Sequence, residues 1–164
     1  MARSENKKSN TLHVLLIEDN RADVTLVTEA LRFHGIRFEA TVLSDGEQAL
    51  RYLEDHQNES SDTDVVLLDL NLPRVNGLRI LSSLRRTGPW RNMPVIVITS
   101  SDSAVDRAAA SAVGATSYFR KPLTLDEYMG LGSVVKQVLG VPERKNGEQT
   151  GFRHFMQTLA GAET

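Results

Sequence analysis

The 164-residue chain contains no cysteine, and it has no long apolar run. Without cysteine there can be no disulfide, no thiolate metal site and no cysteine nucleophile, which is compatible with a reducing compartment. Every apolar run is far shorter than a membrane span, and the basic segment MARSENKKSNT lacks the apolar stretch of a secretory signal. We therefore expect a cytoplasmic protein with a disordered leader over residues 1–11 and no membrane partner.

An excess of charge of one sign is also missing, because the formal net charge is only -2. This balance gives no global reason to expect direct nucleic-acid binding. The chain has no P-loop glycine pattern, so nucleotide hydrolysis lacks support, and its 4 histidines are too scattered for a metal site. Apolar residues make up 40% and charged residues 24%, as in ordinary globular domains.

Short apolar runs alternate with segments of helical periodicity. The predicted strands are HVLLI at 13–17, FEATV at 38–42, VVLL at 65–68, VIVI at 95–98 and SYF at 117–119. Three of these runs are apolar at successive residues, as strands covered on both faces should be. Five strands alternating with five helices predict an α/β fold with a doubly wound parallel sheet.

The fourth helical segment has a clear apolar spacing before Gly114, which stands where a helix would end. The residues at this spacing are Val105, Ala108, Ala109, Ala112 and Val113. Because they follow an i, i+3, i+4, i+7, i+8 pattern, we expect them to form the buried face of the helix.

Polar residues follow the apolar runs at the point where each strand ends. They are Glu18 and Asp19 after the first strand, Asp69 after the third, Thr99 and Ser100 after the fourth, and Lys121 with Pro122 after the fifth. In open α/β sheets ligands bind beyond the carboxyl ends of the strands, so these side chains should share one site. Three crowded carboxylates should either raise a pKa or hold a cation, and an oxygen-only ligand set favours Mg²⁺.

This combination predicts phosphoryl chemistry. The Asp69 carboxylate can act as a nucleophile on a phosphoryl group beside Mg²⁺, while Thr99 donates to one phosphoryl oxygen and Lys121 pairs with another. Each residue alone has a simpler explanation as a helix-dipole partner, a turn residue or a solvated charge. Because all of these residues lie at corresponding strand ends, the functional interpretation is favoured over the simpler ones.

The sequence resembles a known family in several motifs. IEDN at 17–20, LLDLNLP with NG at 67–77, VIVITS at 95–100, GA at 114–115 and YFRKP at 118–122 look like the response-regulator receiver domain of two-component signalling. The resemblance covers residues 12–140. It implies a flavodoxin-like (βα)5 fold with strand order 2-1-3-4-5, and a phosphoryl group accepted on Asp69 from a sensor histidine kinase.

The same resemblance assigns the metal site. Glu18, Asp19, Asp69 and the backbone carbonyl of Asn71 would arrange the Mg²⁺ shell. The family pattern also places a glycine, here Gly77, before the third helix.

The switch residues are assigned in the same way. Thr99 and Tyr118 match the pair in which the hydroxyl moves to the phosphoryl group and the aromatic ring turns inward. Lys121 matches the lysine that binds the phosphoryl oxygen, and its bond to Pro122 is cis in the family. An aromatic such as Tyr118 at the end of a strand would otherwise be interpreted as core packing.

A narrower resemblance points to single-domain regulators that serve phytochromes and related histidine kinases. It is carried by the DLNLP segment and by the SS pair after Thr99. Only about two dozen residues follow Gly140, too few for an ordinary output domain, so we expect a stand-alone regulator. In the extension 141–164, the side chains of Phe152, Phe155, Met156 and Leu159 share a helical face, which predicts either a short docking helix, against the receiver or across a homodimer, or a frayed tail.

Three functions remain open at this point. The first is a signalling switch, not an enzyme, that binds a downstream protein or passes phosphate on in a phosphorelay. The second is a Mg²⁺-dependent phosphohydrolase with Asp69 as nucleophile, which would need an acid/base two residues on, where this chain has Asn71. The third is a binding module that has lost phosphorylation, although the site residues are all present.

Overall fold

The computed structural model describes residues 11–142 and contains one sheet of five parallel strands in the order β2-β1-β3-β4-β5. The strands are β1 Leu12–Ile17, β2 Phe38–Leu43, β3 Val65–Leu68, β4 Val95–Thr99 and β5 Ser117–Arg120. The predicted fold class and strand order are therefore confirmed. The observed strand ends lie within one residue of the predicted ones.

The helices lie between and after the strands. They are α1 Arg21–Phe33, α2 Gly46–Asp55, α3 Gly77–Arg86, α4 Ala104–Val113, α5 Leu125–Met129 and α6 Leu131–Leu139, with a short 3₁₀ turn at Gly88–Trp90. The predicted fifth helix is thus divided in two. The N–H of Gly130 donates to the carbonyl of Glu127, three residues back, and this tighter turn ends α5.

The sheet is covered on both faces, which explains the continuous apolar runs. On one face Leu15, Ile17, Val66 and Leu68 pack with the apolar residues of α2, α3 and α4. On the other face Val14, Leu16, Val65 and Leu67 pack with α1, α5 and α6. Alternate residues of one strand therefore enter different cores, and no position of a central strand is left for a polar side chain until the strand ends.

The predicted buried face of α4 is wrong at three of its five positions. Val105 is 75% exposed, and Ala108 and Ala112 are also exposed, whereas Ala110 is fully buried. Ala109 and Val113, which were predicted correctly to face inward, are half-buried. Alanine occupies several sides of this helix, and such a small side chain fits a core or a surface equally well, so spacing alone could not fix the rotation of the helix.

The predicted leader 1–11 and extension 141–164 lie outside the described residues, apart from residues 11, 141 and 142. Those two predictions therefore stay predictions. Across the part of the chain that the structure describes, no helix has both the length and the apolar character needed to cross a membrane.

Candidate functional site

Strand pairing brings the predicted site residues to one edge of the sheet. The backbone N–H of Asp69 donates to the carbonyl of Ile17 (3.0 Å), and the N–H of Lys121 donates to the carbonyl of Thr99 (2.8 Å). These bonds continue the parallel ladders past the last strand residues, so Asp69 lies beside Glu18 and Lys121 lies beside Thr99.

Three carboxylates converge at this edge. Oxygens of Glu18, Asp19 and Asp69 lie within 4.8 Å of one another. Glu18 is 2% and Asp69 5% exposed, whereas Asp19 is exposed. Two buried carboxylates beside an exposed one form a shallow acidic cleft that is open to solvent on the side of Asp19.

Lys121 supplies the positive charge inside this cleft. Its Nζ donates to Glu18 Oε2, Asp23 Oδ2 and Asp69 Oδ2, each over 2.8 Å. Burial alone would lower the pKa of the ammonium, but these carboxylate bonds outweigh it and raise the pKa well above its ordinary value. Lys121 is therefore a cation at every physiological pH.

Asp23 is a site residue that the sequence analysis did not identify. It lies in the first turn of α1, where an acidic residue ordinarily complements the helix dipole, and its side chain is 20% exposed. The feature of the sequence that could have identified Asp23 is its position: it comes one helical turn after Glu18 and Asp19, in a helix that begins at the carboxyl end of β1. With Asp23, three carboxylates bond to one ammonium, and the carboxylate of Asp19 lies beside two of them.

Burial raises the pKa of Glu18 to about 7, although hydrogen bonds from Lys121 and from the N–H of Asn20 favour the charged form, and the nearby charge of Asp69 adds to the increase. The Asn20 bond to Glu18 Oε1 is 3.0 Å long. Around neutral pH, Glu18 thus exchanges a proton in the metal-free site.

The Thr99 hydroxyl is held by two donors. Thr99 is fully buried, and its Oγ1 accepts from Asn71 Nδ2 (3.0 Å) and from the N–H of Ser101 (3.2 Å). The N–H of Asn71 also donates to Asp69 Oδ1 (2.9 Å). Asn71 therefore connects Asp69 with Thr99 by donating a hydrogen bond to each. A hydrolase would need a carboxylate at this position as its acid/base, and an ionised carboxylate could not donate to Thr99.

Tyr118 lies on the neighbouring strand β5, where it pairs with Val97, two residues before Thr99, and it is half-buried. Its hydroxyl donates to the carbonyl of Ser101 (3.1 Å), and the guanidinium of Arg107 lies 4.8 Å from the centre of its ring. The ring is thus held against the start of α4 by a hydrogen bond and a cation–π contact. Ser101, in the loop after β4, therefore contacts both switch candidates: its N–H donates to Thr99 and its carbonyl accepts from Tyr118.

Two further features predicted near the site are the glycine before α3, Gly77, and a cis bond between Lys121 and Pro122. A Cβ on Gly77 would lie 2.5 Å from the carbonyl oxygen of Asp69, so only glycine lets α3 begin this close to the strand end. Among the described residues there is no cis peptide bond, so the expected cis bond before Pro122 is wrong. The trans form is the lower-energy state of such a bond, and Lys121 reaches its carboxylates with it.

The ligand set suits a hard divalent cation. The oxygens of Glu18, Asp19 and Asp69 are all carboxylate oxygens, which Mg²⁺ and Mn²⁺ accept, and no nitrogen or sulfur ligand competes within this group. With Asp23 included, the site contains four carboxylates and one ammonium, so it keeps an excess of negative charge when all are ionised.

A comparison with protein families identifies the chain. The model of the response regulator receiver domain matches residues 14–131. The chain belongs to this family. Receivers are the signalling domains of two-component systems, and the strand order described above is that of a receiver.

Individual relatives agree with this assignment. The chain is 37% identical to the probable methanogenesis regulatory protein FilR2 of Methanothrix harundinacea over 115 residues, which is 70% of this chain and 74% of the relative. It is 32% identical to the response regulator Rcp1 of Synechocystis over 117 residues, 70% of this chain and 79% of Rcp1.

Solved structures show the same fold. The Mn²⁺-bound form of Rcp1 matches with a TM-score of 0.69 and 27% identity, covering 83% of this chain and 99% of Rcp1. The phosphorylated cyanobacterial phytochrome response regulator RcpA matches with a TM-score of 0.68 and 28% identity, covering 77% of this chain and 92% of RcpA. Similar receivers have thus been seen with a divalent metal and with a phosphoryl group.

Proposed function

We propose that Asp69 accepts a phosphoryl group from the phosphohistidine of a sensor histidine kinase, in a cytoplasmic reaction that depends on Mg²⁺. A carboxylate oxygen of Asp69 forms the new bond to phosphorus, the bond between phosphorus and the kinase imidazole breaks, and the imidazole leaves with a proton from solvent. The observation that carries the proposal is the Lys121 ammonium 2.8 Å from Asp69, at the buried end of β3.

The residues that would hold Mg²⁺ are Glu18, Asp19, Asp69 and Asn71, the last through its backbone carbonyl. The bound ion would screen the negative charge of the carboxylates and of the incoming group. The close oxygens of the three carboxylates and the Mn²⁺-bound Rcp1 structure support this assignment. A cleft with this charge would otherwise repel an anionic donor.

Thr99 and Lys121 would hold the transferred group. Lys121 already lies at Asp69 and can pair with a phosphoryl oxygen without crossing the cleft. Thr99 Oγ1 accepts two hydrogen bonds, so its own proton is available for a phosphoryl oxygen. A phosphoryl group on Asp69 would therefore accept charge-assisted hydrogen bonds from both Lys121 and Thr99.

The output would be a change in binding. When Thr99 moves towards the phosphoryl group, the Ser101 loop moves with it, and the hydrogen bond that holds Tyr118 to this loop is altered. Phosphorylation would thereby bias a two-state equilibrium of the face made by α4, β5, α5 and α6. The partner of that face would be a downstream protein, a phosphotransfer protein or a second copy of this chain.

The likeness to Rcp1 and RcpA favours a phytochrome-like kinase as the phosphoryl donor. A phosphotransfer profile of this chain against purified histidine kinases would test that choice. Preferential rapid transfer from a kinase of another class would count against it.

The central experiment is incubation with acetyl phosphate and Mg²⁺, followed by mass spectrometry of the intact chain. We expect a mass increase of one phosphoryl group that is stable in acid and labile in base. It should be absent in Asp69→Asn and present in the matched control Asp64→Asn, which lies at the other end of β3, where Asp64 accepts from the N–H of His13. An unmodified native chain would contradict the proposal, and repeated turnover of small phosphate esters would favour the hydrolase instead.

A further inference from the structure

Asp23 differs from the other two carboxylates that bond to Lys121. Its Oδ2 accepts from Lys121 Nζ over 2.8 Å, as do oxygens of Glu18 and Asp69. The carboxylates whose oxygens lie close enough to share an ion are Glu18, Asp19 and Asp69, and Asp23 is not in this group. Asp23 therefore adds negative charge to the cleft without belonging to the proposed metal ligands.

The ammonium of Lys121 is already fully used. An ammonium carries three N–H donors, and its bonds to Glu18, Asp23 and Asp69 occupy all of them. A phosphoryl oxygen can bond to Lys121 only if one of these carboxylates gives up its place. Glu18 and Asp69 would exchange theirs for the metal and for the bond to phosphorus, whereas Asp23 is offered neither. Its charge therefore stays on Lys121 and offsets part of the attraction that the ammonium offers to an incoming anion.

The geometry sets the size of this effect. Two oxygens that accept from the same tetrahedral nitrogen over 2.8 Å lie about 4–5 Å apart. A phosphoryl oxygen that takes the place of the Asp69 oxygen on Lys121 would lie about that far from Asp23 Oδ2. Even with the full screening of bulk water, one pair of like charges at this distance shifts an equilibrium about fivefold. Asp23 should therefore disfavour a charged phosphoryl donor measurably.

Asp23 is also the partner of Lys121 that is most open to solvent. Its side chain is 20% exposed, against 2% for Glu18 and 6% for Asp69. A small phosphate donor binds through its own charged group and meets this repulsion in full. A phosphohistidine arrives as part of a protein complex, whose contacts away from the reacting group can offset the repulsion. The same charge thus weighs more heavily on a small donor than on a kinase.

We propose that Asp23 is a specificity-determining residue that, through its charge on Lys121, selects against small dianionic phosphate donors and in favour of a protein-bound phosphohistidine. The inference rests on the proposed phosphoacceptor function and adds a role for a residue outside the proposed metal ligands. Asp23→Asn is a suitable test, because the amide keeps the shape of the side chain and an oxygen that can accept from Lys121. Lys121 also keeps its bonds to Glu18 and Asp69, so the variant removes charge and preserves the geometry.

The experiment measures the initial rate of phosphorylation of the full-length chain by intact-mass spectrometry, in enough Mg²⁺ to saturate native chain and variant. With acetyl phosphate, we expect Asp23→Asn to react at least about fivefold faster than the native chain. Phosphoramidate carries one negative charge fewer at neutral pH, so the gain with this donor should be smaller. Transfer from a purified phosphorylated histidine kinase that serves the native chain should also gain less than transfer from acetyl phosphate.

Two further variants and a binding measurement separate charge from structural damage. Glu29 lies on the same helix with a similar side-chain exposure of 23% and pairs with Arg32 at 2.7 Å, so Glu29→Gln should leave the rate unchanged. Asp23→Glu restores the charge and should return the rate to that of the native chain. Calorimetry should show weaker Mg²⁺ binding in Asp23→Asn, because its cleft is less negative. A distorted site would instead weaken the reaction and the metal binding together.

Three results would overturn this inference while leaving Asp69 as the phosphoacceptor. The first is an Asp23→Asn variant that reacts no faster with acetyl phosphate than the native chain. The second is an equal gain with acetyl phosphate, phosphoramidate and the kinase, and the third is an equal gain in Glu29→Gln. A native chain that takes up no phosphoryl group from any donor would overturn the proposed function and this inference together.

Discussion

Asn71 Nδ2 donates to Thr99 Oγ1 over 3.0 Å, so the residue two positions after the proposed phosphoacceptor is tied to the residue proposed to bind its phosphoryl group. The N–H of Ser101 donates to the same oxygen. A movement of Thr99 towards Asp69 either carries these two donors with it or breaks their bonds, and new bonds to the phosphoryl oxygens would offset any loss. The resting position of Thr99 is therefore set by two hydrogen bonds that can be removed separately.

Replacement of Thr99 by valine keeps the shape of the side chain and removes this acceptor. Since the position is fully buried and the N–H of Ser101 loses its partner, we expect Thr99→Val to lower the free energy of unfolding by about 1–3 kcal/mol. Thr99→Ser keeps the hydroxyl and should lose less. Urea unfolding measures both variants, and a larger loss in Thr99→Ser than in Thr99→Val would show that the methyl group, and not the hydrogen bonds, sets the stability here.

Replacement of Asn71 by aspartate should shorten the lifetime of the phosphorylated chain. The amide donor becomes a carboxylate next to Asp69, where it can accept a proton from an attacking water. We expect hydrolysis at least tenfold faster, measured as the decay of the phosphorylated mass after acetyl phosphate is removed. Asn71→Ala removes the same hydrogen bond to Thr99 without adding a base, so equally fast decay in that variant would contradict the explanation.

Replacement of Lys121 by methionine should destabilise the chain strongly when Mg²⁺ is absent. Three carboxylates lose their shared partner, two of them buried, and breaking such a network costs about 3 kcal/mol. Added Mg²⁺ should restore part of this stability, because a cation again balances the cluster. The measurement is the free energy of unfolding with EDTA and with Mg²⁺.

The neighbouring residue gives a matched control for that experiment. Arg120 is 56% exposed and pairs with Asp102 at 3.2 Å on the surface, so Arg120→Met should cost less than about 1 kcal/mol and should not respond to Mg²⁺. A loss in Lys121→Met that is equally small, or that Mg²⁺ does not reduce, would mean that the ammonium does not hold the cluster together.

Much of this fold could be predicted because its central strands are covered on both faces. Val65 to Leu68 are all buried, and a run of that kind has to end in a loop at the sheet edge, which placed Asp69 correctly at a strand end. The rotation of α4 could not be predicted, since alanine carries little information about its surroundings. The break at Gly130 depends on a local turn that apolar spacing does not register.

The contacts within the site were harder to predict than its location. Asp23 and Lys121 are 98 residues apart in sequence, and their ion pair forms only because α1 and β5 reach the same edge of the sheet. Strand-end position identified Glu18, Asp69, Thr99 and Lys121, but it gave no reason to select an acidic residue in the first turn of α1. The hydrogen bond from Asn71 to Thr99 likewise depends on side-chain directions in two loops.

The raised pKa of Glu18 predicts how stability changes with pH in the metal-free chain. Its folded pKa of about 7 lies above the ordinary value of 4.5, so between these values the folded state binds the proton more tightly than the unfolded state does. The stabilisation is therefore complete below about pH 4.5, declines as the pH rises and is lost above pH 7. We expect a total of about 3 kcal/mol from this group.

The comparison with Glu18→Gln isolates this contribution from other titrating groups. In EDTA, the native chain should lose stability relative to the variant as the pH is raised from 5 to 8. The quantity to compare is the difference between their free energies of unfolding. Mg²⁺ requires the ionised carboxylate, so its stabilising effect on the native chain should grow over the same range, and more steeply than in the variant. If the two chains instead gave parallel curves in EDTA, the buried Glu18 would be ionised throughout, and the proposed coupling between its proton and the metal would be wrong.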